Sequence, residues 1–480
     1  MDQQSEGAPK CVPQGSLIPA SSGRRFRYAG PRDPAPAFRV GPETYCRGDA
    51  RMRNRRLATV FLIAFIDLLG FSLILPLLPY YAAQYGASEA VIGLLVASYA
   101  VMQMIGGPFL GRLSDRYGRR RVLMVCVAGT LVGFLLLALA DPLGRWLSSL
   151  VAPQTPGASV IAVLFFSRML AGLTGGNLSV VQAYIADVTD ERGRARGLGL
   201  IGAAFGLGFI IGPAVGGLLS RWGYGVPAFA AAGLASLNLA LIYAWLPESL
   251  TDAQGAQPQA ARRAPFSLTA LVDTLRRPYI GALLITRFLF SVAFSTFQTI
   301  FALYALRRFG LTAQSTGFVL TYVGVLVVLV QGYLVGQLTD RFRDDLLIAL
   351  AVPVMAVALL GWAWAPSVAW LLVILIPIAA SGGLLNTLIA STLTRAARPD
   401  EVGGLLGLVT ALDSAARIVA PSLGSVLIQQ LGTAGPGLFG AAVMAGVGVF
   451  VWRTIRNHPL ALWMAREAKM PGRPYGASVE

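Results

Sequence analysis

The chain has 480 residues, of which 55% are hydrophobic and only 13% charged, with a mean hydropathy of +0.64. Soluble chains carry about 25% charged residues, so these side chains cannot cover a water-facing surface; an ordinary soluble enzyme, a disordered chain and a coiled coil are excluded. The net charge of +16 has two readings, nucleic-acid binding or a basic bias on one membrane face.

Residues 1–56 are polar, rich in Pro, Gly, Ser and Arg, and lack an apolar period, which predicts a disordered basic tail. The tail is Arg-rich and acid-poor, as transit peptides are, and Met52 is an alternative start. A spanning helix needs about 20 apolar residues, and twelve such runs follow: 57–82, 90–110, 121–140, 160–183, 197–220, 227–246, 279–304, 315–337, 346–364, 368–393, 403–429 and 436–453. They predict an all-α membrane protein of twelve transmembrane helices. Its parts are a six-helix domain at 57–247, a linker at 248–278, a second six-helix domain at 279–453 and a tail at 454–480. The runs are continuous, unlike the alternating segments of a spanning β-barrel.

With the N-terminus placed in the cytoplasm, 32 of the 39 basic residues fall on the cytoplasmic side, four on the other side and three inside helices. The positive-inside rule then places both termini in the cytoplasm, of a plasma or inner membrane in preference to an organelle. The +16 is thereby a record of topology, and no nucleic-acid partner is expected. The cysteines Cys11, Cys46 and Cys126 form no disulfide or metal pattern. A single histidine, His458, leaves no basis for His-based zinc or triad chemistry. No Walker-type Gly-Lys-Ser/Thr exists for ATP. No cofactor and no enzyme activity are expected.

Five charged residues fall within the apolar runs: Asp67, Arg168, Arg287, Asp413 and Arg417. Each costs about 2.5–3.5 kcal/mol at a helix centre on insertion scales. They serve either as structural pairs between helices or in coupling and substrate contact. Asp67, about ten residues into the first run, is the best proton carrier. Arg168 shares a face with Gly172, Gly176, Ser179 and Ala183, small residues that admit a neighbouring helix; it is either buried against a carboxylate or carbonyls, or an anchor reaching the interface. Arg287, Ser291, Phe294 and Gln298 form one stripe of the seventh helix, read as cavity lining or as interhelical packing. Asp413 and Arg417 are spaced four apart and can pair with each other. Three arginines against two aspartates leave one excess positive charge, which favours anionic, zwitterionic or neutral substrates.

The two halves echo one another. Gly111-Arg-Leu-Ser-Asp115-Arg-Tyr-Gly118 follows the second run and Gly336-Gln-Leu-Thr-Asp340-Arg-Phe342 the eighth; Gly212-Pro213-Ala-Val-Gly216 in the fifth answers Ala420-Pro421-Ser-Leu-Gly424 in the eleventh. Repeats of six helices are a transporter architecture, with the site between them near the midplane. In the fifth run Gly208, Gly212 and Gly216 recur every fourth residue, and Pro213 removes a backbone donor, so close packing and bending are expected there.

These stretches, with Ile66-Asp67-Leu-Leu-Gly70 to Pro79 and Arg168-Met-Leu-Ala-Gly172-Leu-Thr-Gly-Gly176 to Asp187, resemble the major facilitator superfamily, and within it the drug:proton antiporters of tetracycline-resistance type. The resemblance implies a secondary transporter working by alternating access, with the proton gradient as the coupling source. It implies that Arg168 is linked to proton transfer. The first, fourth, seventh and tenth helices would line the cavity, where Asp67, Arg168, Arg287 and Asn386 each bring a polar group and Gln182 another. It further implies a gate in which Gly111, Asp115, Gly118 and Arg119 work with Asp187 and the start of the eleventh helix. One departure stands out: the resembled exporters carry an acid in the third helix, where this chain has Gly133. The leading expectation is proton-coupled export of a small amphiphilic molecule by a monomer in the bilayer. The alternatives are a facilitator or symporter for an organic anion or metabolite, and a non-transporting membrane sensor or scaffold.

Overall fold

The computed structural model describes residues 47–151, 156–189, 191–249, 273–397 and 401–454. The expectations for most of the N-terminal tail, most of the linker and the C-terminal tail beyond 454 concern residues outside these ranges. Among the described residues twelve helices are long and apolar enough to cross a membrane: Leu57–Gln84, Glu89–Tyr117, Arg119–Ala138, Pro156–Val188, Gly199–Trp222, Gly225–Trp245, Pro278–Phe309, Ala313–Arg341, Asp344–Ala363, Val368–Ala396, Val402–Leu431 and Gly435–Thr454. They are the first to twelfth spans below. The face that carries the start of the first span is called the basic face, and the opposite one the far face.

Turn chemistry sets the span ends at the far face. Ser88, Thr312 and Ser367 accept the backbone N–H groups of Val91, Ser315 and Trp370, capping the second, eighth and tenth spans. Gly310, at φ +63°, closes the seventh. Two spans are broken. Pro76 lies in the turn between the helices Arg47–Ile74 and Leu78–Gln84, where a ring without an N–H cannot continue the ladder. The pair Gly175 and Gly176 divides the fourth span into Pro156–Thr174 and Asn177–Val188. The eighth contains a π-helical turn, Val330–Leu334.

Two expectations change. The second helix does not end near residue 110 but runs to Tyr117, so Gly111 to Asp115 are helical and only Gly118 interrupts the chain before the third span. A polar segment continues a helix readily once it has left the apolar layer. Residues 141–151, read as a connection, belong to a further helix, Ala140–Val151, which leaves Trp146 and Leu150 exposed. Asp141 ties it down by accepting from Tyr85 Oη (2.6 Å), and it also accepts from Arg145 Nε within the same helix (2.8 Å).

The first six and last six spans meet along glycine seams. The second span packs on the eleventh: a Cβ at Gly93 would stand 2.7 Å from the Pro421 carbonyl oxygen. The fifth packs on the eighth, with Gly217 against Ala313 and Gln314, Gly317 against the Pro213 carbonyl, Gly324 against the Phe209 carbonyl and Gly206 against Val328. Thr321 Oγ1 donates to the Ile210 carbonyl within the same seam (3.0 Å). The contacts of Gly93, Gly217 and Gly317 lie towards the far face, and that of Gly206 with Val328 lies near mid-span. Towards the basic face a Cβ at Gly199, Gly202, Gly332, Gly336, Gly403, Gly404 or Gly407 would meet no described atom within 4 Å.

The polar contacts show the same asymmetry. At the far face Glu89 pairs with Arg307 (2.7 Å), Tyr80 Oη and Thr316 Oγ1 share a hydrogen bond (2.5 Å) and Arg221 Nε donates to Gln314 (2.6 Å), each joining the first six spans to the last six. At the basic face Arg277–Glu401, Arg395–Asp344 and Arg119–Asp187 each stay within one set of six. Among the described residues, the contacts that join the two sets are therefore concentrated towards the far face.

Gly317→Val forces a branched side chain into the Pro213 carbonyl, and overpacking of this kind costs about 1–3 kcal/mol. Gly336→Ala, which meets open space, changes stability by about 0.5 kcal/mol or less. Thermal unfolding of the two purified variants in detergent separates them, and equal melting temperatures would contradict the seam.

Candidate functional site

The first cluster surrounds Asp67. The break at Gly175–Gly176 starts a new helix at Asn177, and this turns the Asn177 side chain to within hydrogen-bonding reach of the Asp67 carboxyl. Asp67 and Arg168 line one small cavity with Phe71, Tyr99, Thr130, Phe134 and Asn177. Arg168 is 2% exposed, so it does not reach for the interface. Its guanidinium lies 5.9 Å from both the Tyr99 and the Phe134 ring centres, in cation–π contact on two sides. Its Nε and Nη2 have no hydrogen-bond acceptor among the described residues. Two of the small residues expected beside it admit a neighbouring helix: Gly172 lies against the Tyr99 carbonyl and Gly176 against Gly107, both of the second span.

The second cluster lies in the last six spans. Arg287 holds Asp413 through two bonds, Nε to Oδ1 at 3.0 Å and Nη2 to Oδ2 at 2.6 Å. Ser291 Oγ donates to Asp413 Oδ1 at 2.5 Å, and Arg287 Nη1 donates to the Asn386 backbone carbonyl at 3.1 Å. The expected partner of Asp413 was Arg417, and the structure corrects this. A fork-shaped guanidinium across the interface satisfies both carboxylate oxygens at once, and Ser291 from the same stripe adds a third bond. Arg417 is exposed, within electrostatic range of Tyr99 on the wall of the first cluster. Phe294 stacks on Phe290 at 5.5 Å, and Phe290 lies under Arg287. Gln182, Gln298 and Asn386 are exposed side chains that join neither cluster through a side-chain bond.

The basic face carries the third group. Arg119 binds Asp115 (2.5 Å), Asp187 (3.0 Å) and Ser114 Oγ (2.6 Å), and its side chain is only 4% exposed. Gly118, at φ +99°, makes the sharp turn that puts these residues side by side, and a Cβ there would strike the Glu248 carboxylate. Glu248 accepts from the Arg119 backbone N–H (2.7 Å), placing a negative charge at the N-terminus of the third span. Glu248 is a member that sequence reasoning missed. The start of the eleventh span, expected in this group, is engaged elsewhere: Glu401 binds Arg277 through two hydrogen bonds.

The glycine repeat of the fifth span packs on the first. Gly208 offers its carbonyl to Ser72 Oγ (2.7 Å), Gly212 lies against Ser72 and Gly216 against the Leu73 carbonyl, while Pro213 faces Gly317. Gly133 also has a packing role. A Cβ there would stand 2.9 Å from that of Ala171, and its carbonyl accepts from Ser167 Oγ (2.9 Å), so an acid has no room at this position. Tyr99, Thr130 and Asn177 were missed as cavity residues. Asn177 carried a usable signal, an amide following a Gly-Gly pair inside an apolar run.

Comparison with known proteins gives this arrangement a family. A sequence profile described as Major Facilitator Superfamily matches residues 60–421. The human protein "Solute carrier family 67 member A1" is 28% identical over 421 residues, which is 86% of this chain and 96% of that protein. "Tetracycline resistance protein, class C" of Escherichia coli is 31% identical over 379 residues, 77% of this chain and 88% of its own. Among solved structures, that of the human organic anion transporter MFSD10 (TETRAN) superposes with a TM-score of 0.58 at 21% identity, over 83% of this chain and 99% of the other. By its profile match and its relatives, this chain belongs to the major facilitator superfamily, a family of integral multi-pass membrane transporters, and has tetracycline-resistance proteins among its relatives.

Proposed function

We propose that the protein is a secondary active transporter that exports a small amphiphilic organic molecule in exchange for protons, by alternating access between two six-helix domains at 57–247 and 279–453. The observation that carries this reading is the Asp67 cavity: one carboxyl, one amide and one buried guanidinium with free donors, held by aromatic rings inside an apolar bundle. Asp67 would be the group that takes up and releases the coupling proton. When it ionises, the unmatched Nε and Nη2 of Arg168 would receive it. The basic face would be cytoplasmic, so contacts concentrated towards the far face would correspond to an inward-open state of a monomer in a plasma or inner membrane. A nucleic-acid partner, a cofactor and an enzymatic reaction form no part of this reading. The tetracycline-resistance relative supports export of a drug-like substrate.

The second reading is a facilitator or symporter for an organic anion. The exposed Arg417 and the excess of arginine favour it, as does the structural likeness to a protein described as an organic anion transporter. Collapsing the pH gradient in vesicles separates proton exchange from facilitated passage, since only the second continues; the direction of proton movement relative to substrate separates exchange from symport.

In proteoliposomes carrying an internal pH dye, Asp67→Asn is expected to reduce substrate-driven proton movement to that of empty vesicles. Full proton coupling in this variant would remove Asp67 from the mechanism. Asp115→Asn tests the gate. The Asp115 side chain is 44% exposed, so loss of its ion pair changes stability by about 1 kcal/mol or less. Transport turnover is expected to fall several-fold while surface expression stays at wild type. Normal turnover would leave the Asp115–Arg119–Asp187 group a purely structural one.

A further inference from the structure

We infer that Asp413 is an internal stand-in for the anionic group of the substrate: an organic anion takes its place on Arg287, and Asp413 moves to Arg417, one turn along its own helix. This rests on the transport reading above and names a substrate class for that transport.

The geometry at Arg287 is that of a ready-made carboxylate receptor with a carboxylate already in it. Two parallel N–H groups meet the two oxygens of Asp413, the pairing that guanidinium groups make with free carboxylates, sulfonates and phosphonates. The receptor does not depend on its present occupant. Nη1 is fixed by the Asn386 carbonyl, and the guanidinium rests on the Phe290 ring, so Arg287 stays in position when Asp413 leaves. Asp413 is the looser partner, with its side chain 23% exposed against 9% for Arg287. The half-buried ring of Phe294, stacked on Phe290, gives an apolar shelf beside the charge for the body of an amphiphile.

The displaced carboxylate has somewhere to go. Arg417 follows Asp413 by four residues, and an acid placed four residues before a base is the favourable orientation for a pair on one helix. Arg417 has no ion-pair partner among the described residues, and it faces the interface near Tyr99. With the site empty, Asp413 neutralises Arg287 and Arg417 is left charged and exposed. With an anion bound, the anion neutralises Arg287 and Asp413 neutralises Arg417. The cluster then carries no net charge. Uncompensated charge placed under apolar cover is strongly penalised, so the loaded site closes more readily than the empty one. A neutral or cationic ligand leaves the excess charge in place. Selectivity for anions follows from charge bookkeeping within the cluster as much as from contact.

The test is binding to the purified full-length protein at one fixed pH, read by thermal shift and calorimetry. The probes are benzoate and benzenesulfonate, with benzyl alcohol and benzylamine as neutral and cationic controls. The two anions are expected to bind wild type and the controls are not. Asp413→Asn removes the internal competitor. If Asp413 occupies Arg287 about nine-tenths of the time, anion affinity rises about tenfold. Ser291→Ala loosens the competitor without removing any charge and raises affinity about threefold by the same population argument; it carries the test by itself where Asp413→Asn fails to fold. Arg287→Gln abolishes binding. Arg417→Gln weakens anion binding in wild type but has no effect in the Asp413→Asn background, because no displaced carboxylate then needs a partner. The inference is overturned by no increase in affinity in either Asp413→Asn or Ser291→Ala, by equal binding of benzylamine, by an Arg417→Gln effect that persists without Asp413, or by no binding of either anion to any form. Since no gradient is applied, failure of proton-coupled export alone would appear as intact binding with the expected mutational pattern and no coupled flux.

Discussion

Charge confined in an apolar interior is the condition to which the rest of the molecule answers. Arg168 is the extreme case: a guanidinium at 2% exposure with two of its nitrogens lacking acceptors. A buried unpaired charge of this kind costs several kcal/mol, and the surrounding spans are built to hold it. Two aromatic faces lie against it, and the second span comes close enough to supply Tyr99 because Gly172 and Gly176 carry no side chain. The break at Gly175–Gly176 then frees a helix end, so Asn177 reaches Asp67. In the last six spans the same problem has the opposite solution, since Arg287 and Asp413 neutralise each other in full. One half thus holds a cation with open valences and the other a closed ion pair. Arg417 is exposed one turn beyond Asp413 and within electrostatic range of Tyr99.

Small residues link these sites to the shape of the whole molecule. Backbones touch at Gly93, Gly217, Gly317 and Gly324, where almost any side chain would separate the spans. Without side chains to interlock, such seams can open and close with little repacking. Of the glycine contacts between the fifth and eighth spans, Gly206 against Val328 lies nearest the basic face, and the π-helical turn Val330–Leu334 follows at once. Val330 in that turn lies against Gly383 of the tenth span. An inserted residue of this kind marks a place where a helix changes direction.

Sequence carried the architecture well because spanning a bilayer leaves a one-dimensional trace. An apolar run of sufficient length is visible without any knowledge of what it packs against, and the twelve runs coincide with the twelve helices to within a few residues at most ends. The second helix is the exception, since its last turn is polar and periodicity could not assign Asp115 to a helix. The five intramembrane charges could be named on grounds of energetic cost alone. Their partners could not. Spacing showed that Asp413 can reach Arg417, but which of two arginines wins depends on the crossing of the seventh and eleventh spans, and no local pattern encodes that. Gly133 was visible only as a missing acid. Its reason, contact with Ala171 and Ser167, is a tertiary fact. Glu248 went unnoticed because an N-terminal anion is recognised by the helix it approaches, 129 residues away in sequence.

The polar contacts at the two faces also bear on energetics. The far face is closed by Glu89–Arg307, Tyr80–Thr316 and Arg221–Gln314, in addition to the apolar contact of Leu77 and Tyr80 with Ala302 and Ala313. Arg307 is 44% exposed, and ion pairs at such exposure contribute about 1 kcal/mol or less. A closure made of several weak contacts can be undone by a ligand with a modest preference for the other state, since a ligand shifts an equilibrium only by its differential affinity. The basic face has the complementary property. Its arginines are engaged within each set of six, Arg119 with Asp115 and Asp187, Arg277 with Glu401 and Arg395 with Asp344. Separating the sets there leaves these charges paired. Among the described residues no ion pair at the basic face joins the two sets, and the far face is held by few.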